Sequence, residues 1–194
     1  PVAGKMLIGD KYEESKYASG NLTWDGKNKA VTLQGAKGEA ICFQLILENI
    51  SAKPIASIAF KAGDLAFEKN SIPAKNIRLL REWYINKDNA WYSIALPLLE
   101  DKDNGVLQLP YADNVIPEQK FMALYVEIFV PYQATPGLYE GSIKVTADGK
   151  EITVPIKTKI LAIEIPKELN FIIELNNYGF GKDKNYFYEI HKLA

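Results

Sequence analysis

Apolar residues recur at alternate positions along much of this chain, the period of a strand rather than a helix. From Phe121 to Val130 the even positions Met122, Leu124, Val126, Ile128 and Val130 are all apolar, as one buried strand face requires. After the Pro136-Gly137 turn, Tyr139, Gly141, Ile143, Val145 and Ala147 alternate with Glu140, Ser142, Lys144, Thr146 and Asp148. Asp148-Gly149 is a hairpin signal, because a type I′ turn needs positive φ at both central residues. Closing that loop pairs Ala147 with Lys150, Val145 with Ile152 and Ile143 with Val154, so the apolar faces coincide. It also sets Glu140 opposite Lys157.

The same pattern predicts further strands. Ala30–Gln34 turns Val31 and Leu33 inward, Glu39–Glu48 turns in Ile41, Phe43, Leu45 and Leu47, and Ile55–Lys61 alternates through Ala56, Ile58 and Phe60. Asn76–Ile85 reads as one strand carrying Arg78, Arg81 and Glu82 among apolar residues, with Trp83 on the face of Ile77 and Leu79. Residues 1–29 read as an irregular N-terminal segment with a short edge strand near Leu22–Trp24. Asn86–Glu118 is rich in Asp, Asn and Pro and is expected to be irregular, either functional or packed over a neighbouring domain. Strands at this spacing predict a mostly β fold over residues 30–166, an antiparallel β-sandwich of immunoglobulin-like or jelly-roll-like type. The character then changes. Phe171-Ile172-Ile173-Glu174-Leu175 suits a strand buried on both faces, and the helical spacing of Tyr186, Ile190, Leu193 and Ala194 follows Asp183, an N-cap. Strand, loop and helix over 167–194 open a parallel α/β fold, so the chain is expected to be the front of a longer protein whose leader or tag has been removed before Pro1.

Charge narrows the function classes. With 23 basic and 24 acidic side chains the net charge is −1, which leaves no cationic surplus for phosphates and argues against a nucleic acid partner. No apolar run reaches the roughly 18–20 residues of a membrane span. The single cysteine, Cys42, excludes an internal disulfide, has no histidine or second cysteine near it in sequence, and reads as an inert strand residue. His191, the single histidine, falls beside the apolar stripe of the last helix and reads as a surface or interface residue. A structural zinc site fails on ligand count, so no metal or other cofactor is expected. Glu13 and Glu14 are adjacent acids in a polar segment and read as a solvated face. Glu127 reads as a half-exposed acid paired with a neighbouring base.

Particular residues, in order, resemble the N-terminal region of bacterial glycoside hydrolases of family 123 and related proteins of unassigned function. They are Gly38-Glu39 leading into Phe43-Gln44, Pro97-Leu98-Leu99, Glu127-Ile128-Phe129-Val130-Pro131, and Pro136-Gly137-Leu138-Tyr139-Glu140-Gly141 with its Gly-x-Tyr-x-Gly core. Glu174-Leu175-Asn176-Asn177-Tyr178-Gly179 and Tyr188-Glu189-Ile190-His191-Lys192-Leu193-Ala194 are similar to the first strand and helix of that family's (β/α)8 barrel.

The resemblance implies an accessory sandwich ahead of a catalytic barrel, truncated here at the barrel's start. The parent would cleave β-linked N-acetylgalactosamine from glycan ends with the substrate's own acetamido group as nucleophile, an exception to the two-carboxylate scheme. An Asp-Glu pair on a later barrel strand would assist. No residue of this chain matches that pair, so the chain itself is expected to be catalytically inactive. Asn176, Asn177 and Tyr178 would follow the first barrel strand, where barrel sites lie, and suit sugar hydroxyls and a sugar face; equally, they make a capped turn with an aromatic plug. Tyr84, Trp91 and Tyr92, with Trp24 and Trp83, could stack on a sugar or fill core and interdomain space. The expected partners are the C-terminal barrel and, in the parent protein, its glycan. The expected location is secreted, periplasmic or on the cell surface. An independent carbohydrate-binding module and a secreted scaffold or adhesion domain remain as alternatives. Left without its barrel neighbours, the tail from Phe171 is expected to be poorly settled, docking on the sandwich through the Asn86–Glu118 segment first and self-associating second.

Overall fold

The computed structural model describes residues 23–51, 53–88, 90–99 and 106–168. Its strands are β1 (Trp24–Asp25), β2 (Ala30–Lys37), β3 (Ala40–Glu48), β4 (Ile55–Ala62), β5 (Leu65–Phe67), β6 (Asn70–Ile72) and β7 (Ile77–Arg81). They continue as β8 (Trp83–Lys87), β9 (Ala90–Ala95), β10 (Val106–Leu109), β11 (Phe121–Phe129), β12 (Gly137–Ala147) and β13 (Lys150–Glu164). Helical structure among the described residues is limited to the 3-10 turn Ala74–Asn76 and a 3-10 position at Leu99. The mostly β reading is borne out.

One sheet runs β1-β2-β13-β12-β4-β10, with β5 on β12 and β6 on β5. A second runs β3-β11-β7, and β8-β9 form a separate ribbon. Pairing is antiparallel except between β13 and β2, where Ile156 lies opposite Val31 in a parallel ladder. Val31, Leu33, Ile58, Ile143 and Ile156 from the large sheet share one core with Ile41, Phe43, Met122, Leu124, Val126 and Ile128 from the small one. The alternating residues Met122, Leu124, Val126 and Ile128 are completely buried, each worth roughly 1.5–3 kcal/mol over exposure.

The hairpin forms in the expected register. Val145 lies opposite Ile152, Ile143 opposite Val154 and Glu140 opposite Lys157, the last pair closing a 3.0 Å ion pair. Asp148 and Gly149 both have positive φ, 45° and 79°, as the two-residue turn demands. Asp148 does more than turn the chain. Its carboxylate accepts the N–H of Ser57 at 2.9 Å and of Ala56 at 3.1 Å, while its own N–H donates to the Ser57 carbonyl at 2.8 Å. The hairpin tip thereby holds the start of β4.

Packing explains the Gly-x-Tyr-x-Gly run. A Cβ on Gly137 would lie 2.3 Å from the Phe67 ring, and one on Gly141 would lie 2.5 Å from the Asp64 carbonyl oxygen and 2.6 Å from the Leu65 side chain. The two glycines therefore admit β5 against β12. Between them Tyr139 is buried, its ring 5.5 Å from that of Phe67 and its hydroxyl donating to the Thr135 carbonyl at 3.0 Å.

Several expectations are corrected. The single strand over Asn76–Ile85 is two: at Glu82 the backbone still donates to Ala123, but from Trp83 its partners become β9 and the Asn114 side chain. Asn86–Glu118 is not irregular throughout, since it holds β9 and β10. β10 closes the edge of the large sheet on β4, with Leu107 and Leu109 buried and Val106 and Gln108 exposed. The short strands β5 and β6, whose Leu65 and Ile72 are fully buried, extend the fold beyond the predicted set. The strand and helix expected over 167–194 lie outside the described residues from 169 onward.

Gly141→Ala is expected to destabilise the domain by about 1–3 kcal/mol, because the methyl group overpacks a backbone contact. Gly63→Ala, whose nearest neighbour would be 3.5 Å away, should cost less than about 0.5 kcal/mol. Urea unfolding of the two variants checks the difference.

Candidate functional site: a buried polar cluster at the end of β7

Along β7 the inward positions are Ile77, Leu79 and Arg81, so an arginine takes the last place on an otherwise apolar face. Its backbone N–H donates to the Pro97 carbonyl at 2.9 Å. Its guanidinium makes two parallel bonds to Asp113, at 2.9 and 2.6 Å, and lies over the rings of Tyr111 at 4.2 Å and Trp83 at 5.0 Å. The side chain of Arg81 is almost wholly buried, whereas that of Asp113 is 39% exposed. Planar, bidentate geometry is what arginine offers and lysine does not. Arg81 Nε and the Tyr111 hydroxyl are buried without a hydrogen-bond partner. Burial pushes the Tyr111 phenol well above its ordinary value, against the smaller opposing pull of the Arg81 charge.

Glu82, equally buried, points into a different set of donors. The Gln44 amide donates to one carboxylate oxygen and the Tyr84 hydroxyl to the other, the latter at 2.5 Å. Burial first, then the Glu82 hydrogen bond and charge, hold the Tyr84 phenol far above its usual range. Asn114 binds the Tyr84 backbone twice, accepting its N–H at 2.8 Å and donating to its carbonyl at 2.8 Å, as a neighbouring strand would. Gln119 closes the loop before β11, accepting from the Tyr111 N–H and donating to the Phe121 carbonyl, both at 2.8 Å. Arg81, Glu82, Asn114 and Gln119 are four of the five buried polar side chains among the described residues. An open cleft of about 260 Å³ lies beside them, lined by Arg81, Tyr111 and Asp113 with Leu107 and Gln108.

Chemically this cluster is a fastening. Each carboxylate is already matched to donors, Asp113 to the Arg81 guanidinium and Glu82 to Gln44 and Tyr84. Among the described residues no group of three His, Cys, Asp or Glu is placed to hold a metal ion.

Of the aromatic candidates, Tyr84 is buried, Trp91 is half-buried against the core and Tyr92 is 44% exposed. Tyr84 lies opposite Ser93 and Trp91 opposite Asn86, which puts both rings on one ribbon face; Tyr92, opposite Ile85, is on the other. The three do not come together. Trp83, half-buried under Arg81, starts the ribbon rather than extending the core face of β7. Asn176, Asn177 and Tyr178 lie outside the described residues, as do Glu13, Glu14 and His191. Glu127 pairs with Arg78 at 3.0 Å. Cys42 is half-buried on β3, and its contact with Tyr125, more than burial, pushes that phenol up to about 12. The Arg81–Asp113 pair and the Glu82 network were not singled out from sequence. The phase of Arg81 with Ile77 and Leu79 was the available signal, since a charge on a core face must find a partner.

A family model described as the glycoside hydrolase 123 N-terminal domain matches residues 13–147. The chain belongs to that family, and the resemblance drawn from its motifs is borne out. No curated protein matches the sequence. Among solved structures, it is similar to a family 123 glycoside hydrolase from Clostridium perfringens studied for glycolipid glycan hydrolysis, with 22% identity and a TM-score of 0.53. The match covers 71% of this chain and 24% of that one, so the chain spans about a quarter of the enzyme, and the likeness is one of fold. The N-terminal domain of PorA matches over 70% of this chain and 90% of its own, at 15% identity and a TM-score of 0.34. The CooA pilin subunit of enterotoxigenic Escherichia coli matches over the same shares, at 12% identity and a TM-score of 0.34.

Two outcomes are expected from this cluster. Arg81→Ala should destabilise the domain by about 1.5–3 kcal/mol in chemical unfolding, the worth of a hydrogen bond to a charged group, because the Asp113 carboxylate left behind is partly open to water. The raised tyrosines set an alkaline limit. A phenol that keeps its proton when folded and loses it near pH 10 when unfolded stabilises the fold below about pH 10, and this contribution is lost as pH rises further. Unfolding midpoints measured from about pH 8 to about pH 11 should fall, and Tyr84→Phe should flatten the fall.

Proposed function

We propose that this chain is the non-catalytic accessory β-sandwich of a bacterial glycoside hydrolase, and that the whole protein removes terminal β-linked N-acetylgalactosamine from glycans by substrate-assisted hydrolysis. The observation that carries the reading is the family match over 13–147, supported by likeness to one quarter of a family 123 enzyme. The polar cluster agrees with it: Glu82 and Asp113 serve the packing of the ribbon and the 110–119 loop, which leaves their donors and acceptors committed to the fold. On this reading residues 167–194 begin the catalytic barrel, Asn176, Asn177 and Tyr178 stand at the end of its first strand, and the protein works outside the cytoplasm, where glycan ends are met.

The chain should not release product from an aryl N-acetyl-β-galactosaminide, while the whole protein should. Turnover by the chain alone would overturn the reading. Calorimetric titration with N-acetylgalactosamine separates it from a binding module acting alone: the accessory role predicts no heat of binding, and saturable binding by the chain would favour the module.

A further inference from the structure

The β8-β9 ribbon pairs with neither sheet among the described residues, and its two faces differ. One is turned to the body: Tyr84 is buried and Trp91 packs against the core. The other carries apolar residues that stand open. Ile85 lies directly opposite Tyr92, and Ile94, two residues on, returns to the same face. These three are 40%, 44% and 59% exposed. The register makes them one surface. Lys87 and Asp88 are exposed at the ribbon's turn, so the apolar patch has a polar border there, as an interface core has its rim. A two-stranded ribbon is marginal in water by itself. This one is held from one face and by Asn114 along β8. Lone exposed apolar residues need no account, but three adjacent ones on a single ribbon face mark a contact surface.

Size selects the occupant. Three such side chains present roughly 300 Å², the range in which a surface patch is commonly functional. A stable complex between separate chains needs about 800 Å² from each partner, so a second copy of this chain held there alone would dissociate. A domain joined by the chain itself needs less, because the connection gives it an effective concentration in the millimolar range. Contacts between domains of one chain begin at about 600 Å² in total, or about 300 Å² from each side. Likeness supports the existence of such a domain, since the match accounts for 24% of the family 123 enzyme. Reach permits it too. Lys167 lies against the Tyr132 ring, just beyond one end of β11, and Arg81, where the ribbon begins, is opposite Leu124 toward the other end. β11 is about 30 Å long, and a barrel of about 250 residues is about 45 Å across.

We propose that the ribbon face carrying Ile85, Tyr92 and Ile94 is the docking surface for the catalytic domain that follows in the whole protein, met there by an apolar patch of that domain. This deepens the proposed function and rests on it for the identity of the occupant. It can fail while that function stands, because a domain may be accessory to a hydrolase and hold it by another face.

Cysteine labelling of the whole protein tests the proposal. In a Cys42→Ser background, Ile94→Cys is compared with Ile50→Cys, a position 91% exposed on the turn after β3. Maleimide labelling is located by peptide mass, and each rate is divided by that of the same variant in denaturant. Ile94→Cys should label at least tenfold more slowly than when unfolded, while Ile50→Cys stays near its unfolded rate. Adding Ile85→Lys, which puts a charge into the contact from an exposed position, should restore fast labelling at Ile94→Cys. Labelling of Ile94→Cys at its unfolded rate would overturn the proposal. So would shielding that Ile85→Lys leaves intact, or shielding that disappears on dilution, the mark of a second copy as occupant. Hydrolysis is read separately: turnover by a whole protein whose ribbon labels freely would sink the docking and leave the accessory role standing.

Discussion

The antiparallel pairing of β12 with β13 is the constraint on which the remaining strands depend. Eleven residue pairs, from Gly137 opposite Ile160 to Ala147 opposite Lys150, form one continuous ladder. On one side β12 carries β4 and β5; on the other, β13 carries β2. A slip of one residue would turn Ile143, Val145 and Ile156 out of the core and expose Lys144 and Lys157 to it, an exchange no packing could absorb. Register is fixed twice, by the Asp148-Gly149 turn and by the bonds from Asp148 to the start of β4. Tyr139 and its flanking glycines fix it again at the far end.

The polar cluster solves a different problem. Where β7 leaves the small sheet and the ribbon begins, the backbone needs new partners, and a buried segment cannot leave them unmade. Asn114 substitutes for a strand beside Tyr84, Gln119 bridges Tyr111 and Phe121, and Arg81 binds Asp113 on the loop above it. Such an arrangement specifies one path for the chain more than it adds stability, since desolvating both ions offsets much of their attraction. It also accounts for the placement of acids in a domain with no sign of catalytic geometry among its described residues.

How much of this was legible in the sequence follows from which interactions are local. The hairpin was, because alternation and a two-residue turn are properties of neighbouring residues. β10 was legible in principle, with Leu107 and Leu109 alternating against Val106 and Gln108, but four residues among Asp, Asn and Pro make a weak signal. The division of Asn76–Ile85 was not, because its cause is the distant side chain of Asn114 and the carbonyl of Pro97. The cluster escaped for the same reason: Arg81 and Glu82 were visible as charges on a strand, while Gln44 comes from β3 and Asp113 and Gln119 from the loop before β11. Of the stacking candidates, Tyr84 was drawn inward by Glu82, and the strand period sent Tyr92 to the opposite face from Trp91.

These features amount to one ladder at the centre of the fold and a polar fastening where β7 gives way to the ribbon. Native-state hydrogen exchange tests that picture most directly. If the β12–β13 ladder organises the fold, the hydrogen-bonded amides of Ile143, Val145, Val154 and Ile156 should exchange only through global unfolding, with the same free energy and denaturant dependence as Leu124 and Val126, while the β8-β9 ribbon exchanges faster. Exchange of the hairpin amides through a separate, lower-energy opening that leaves β11 protected would contradict the account.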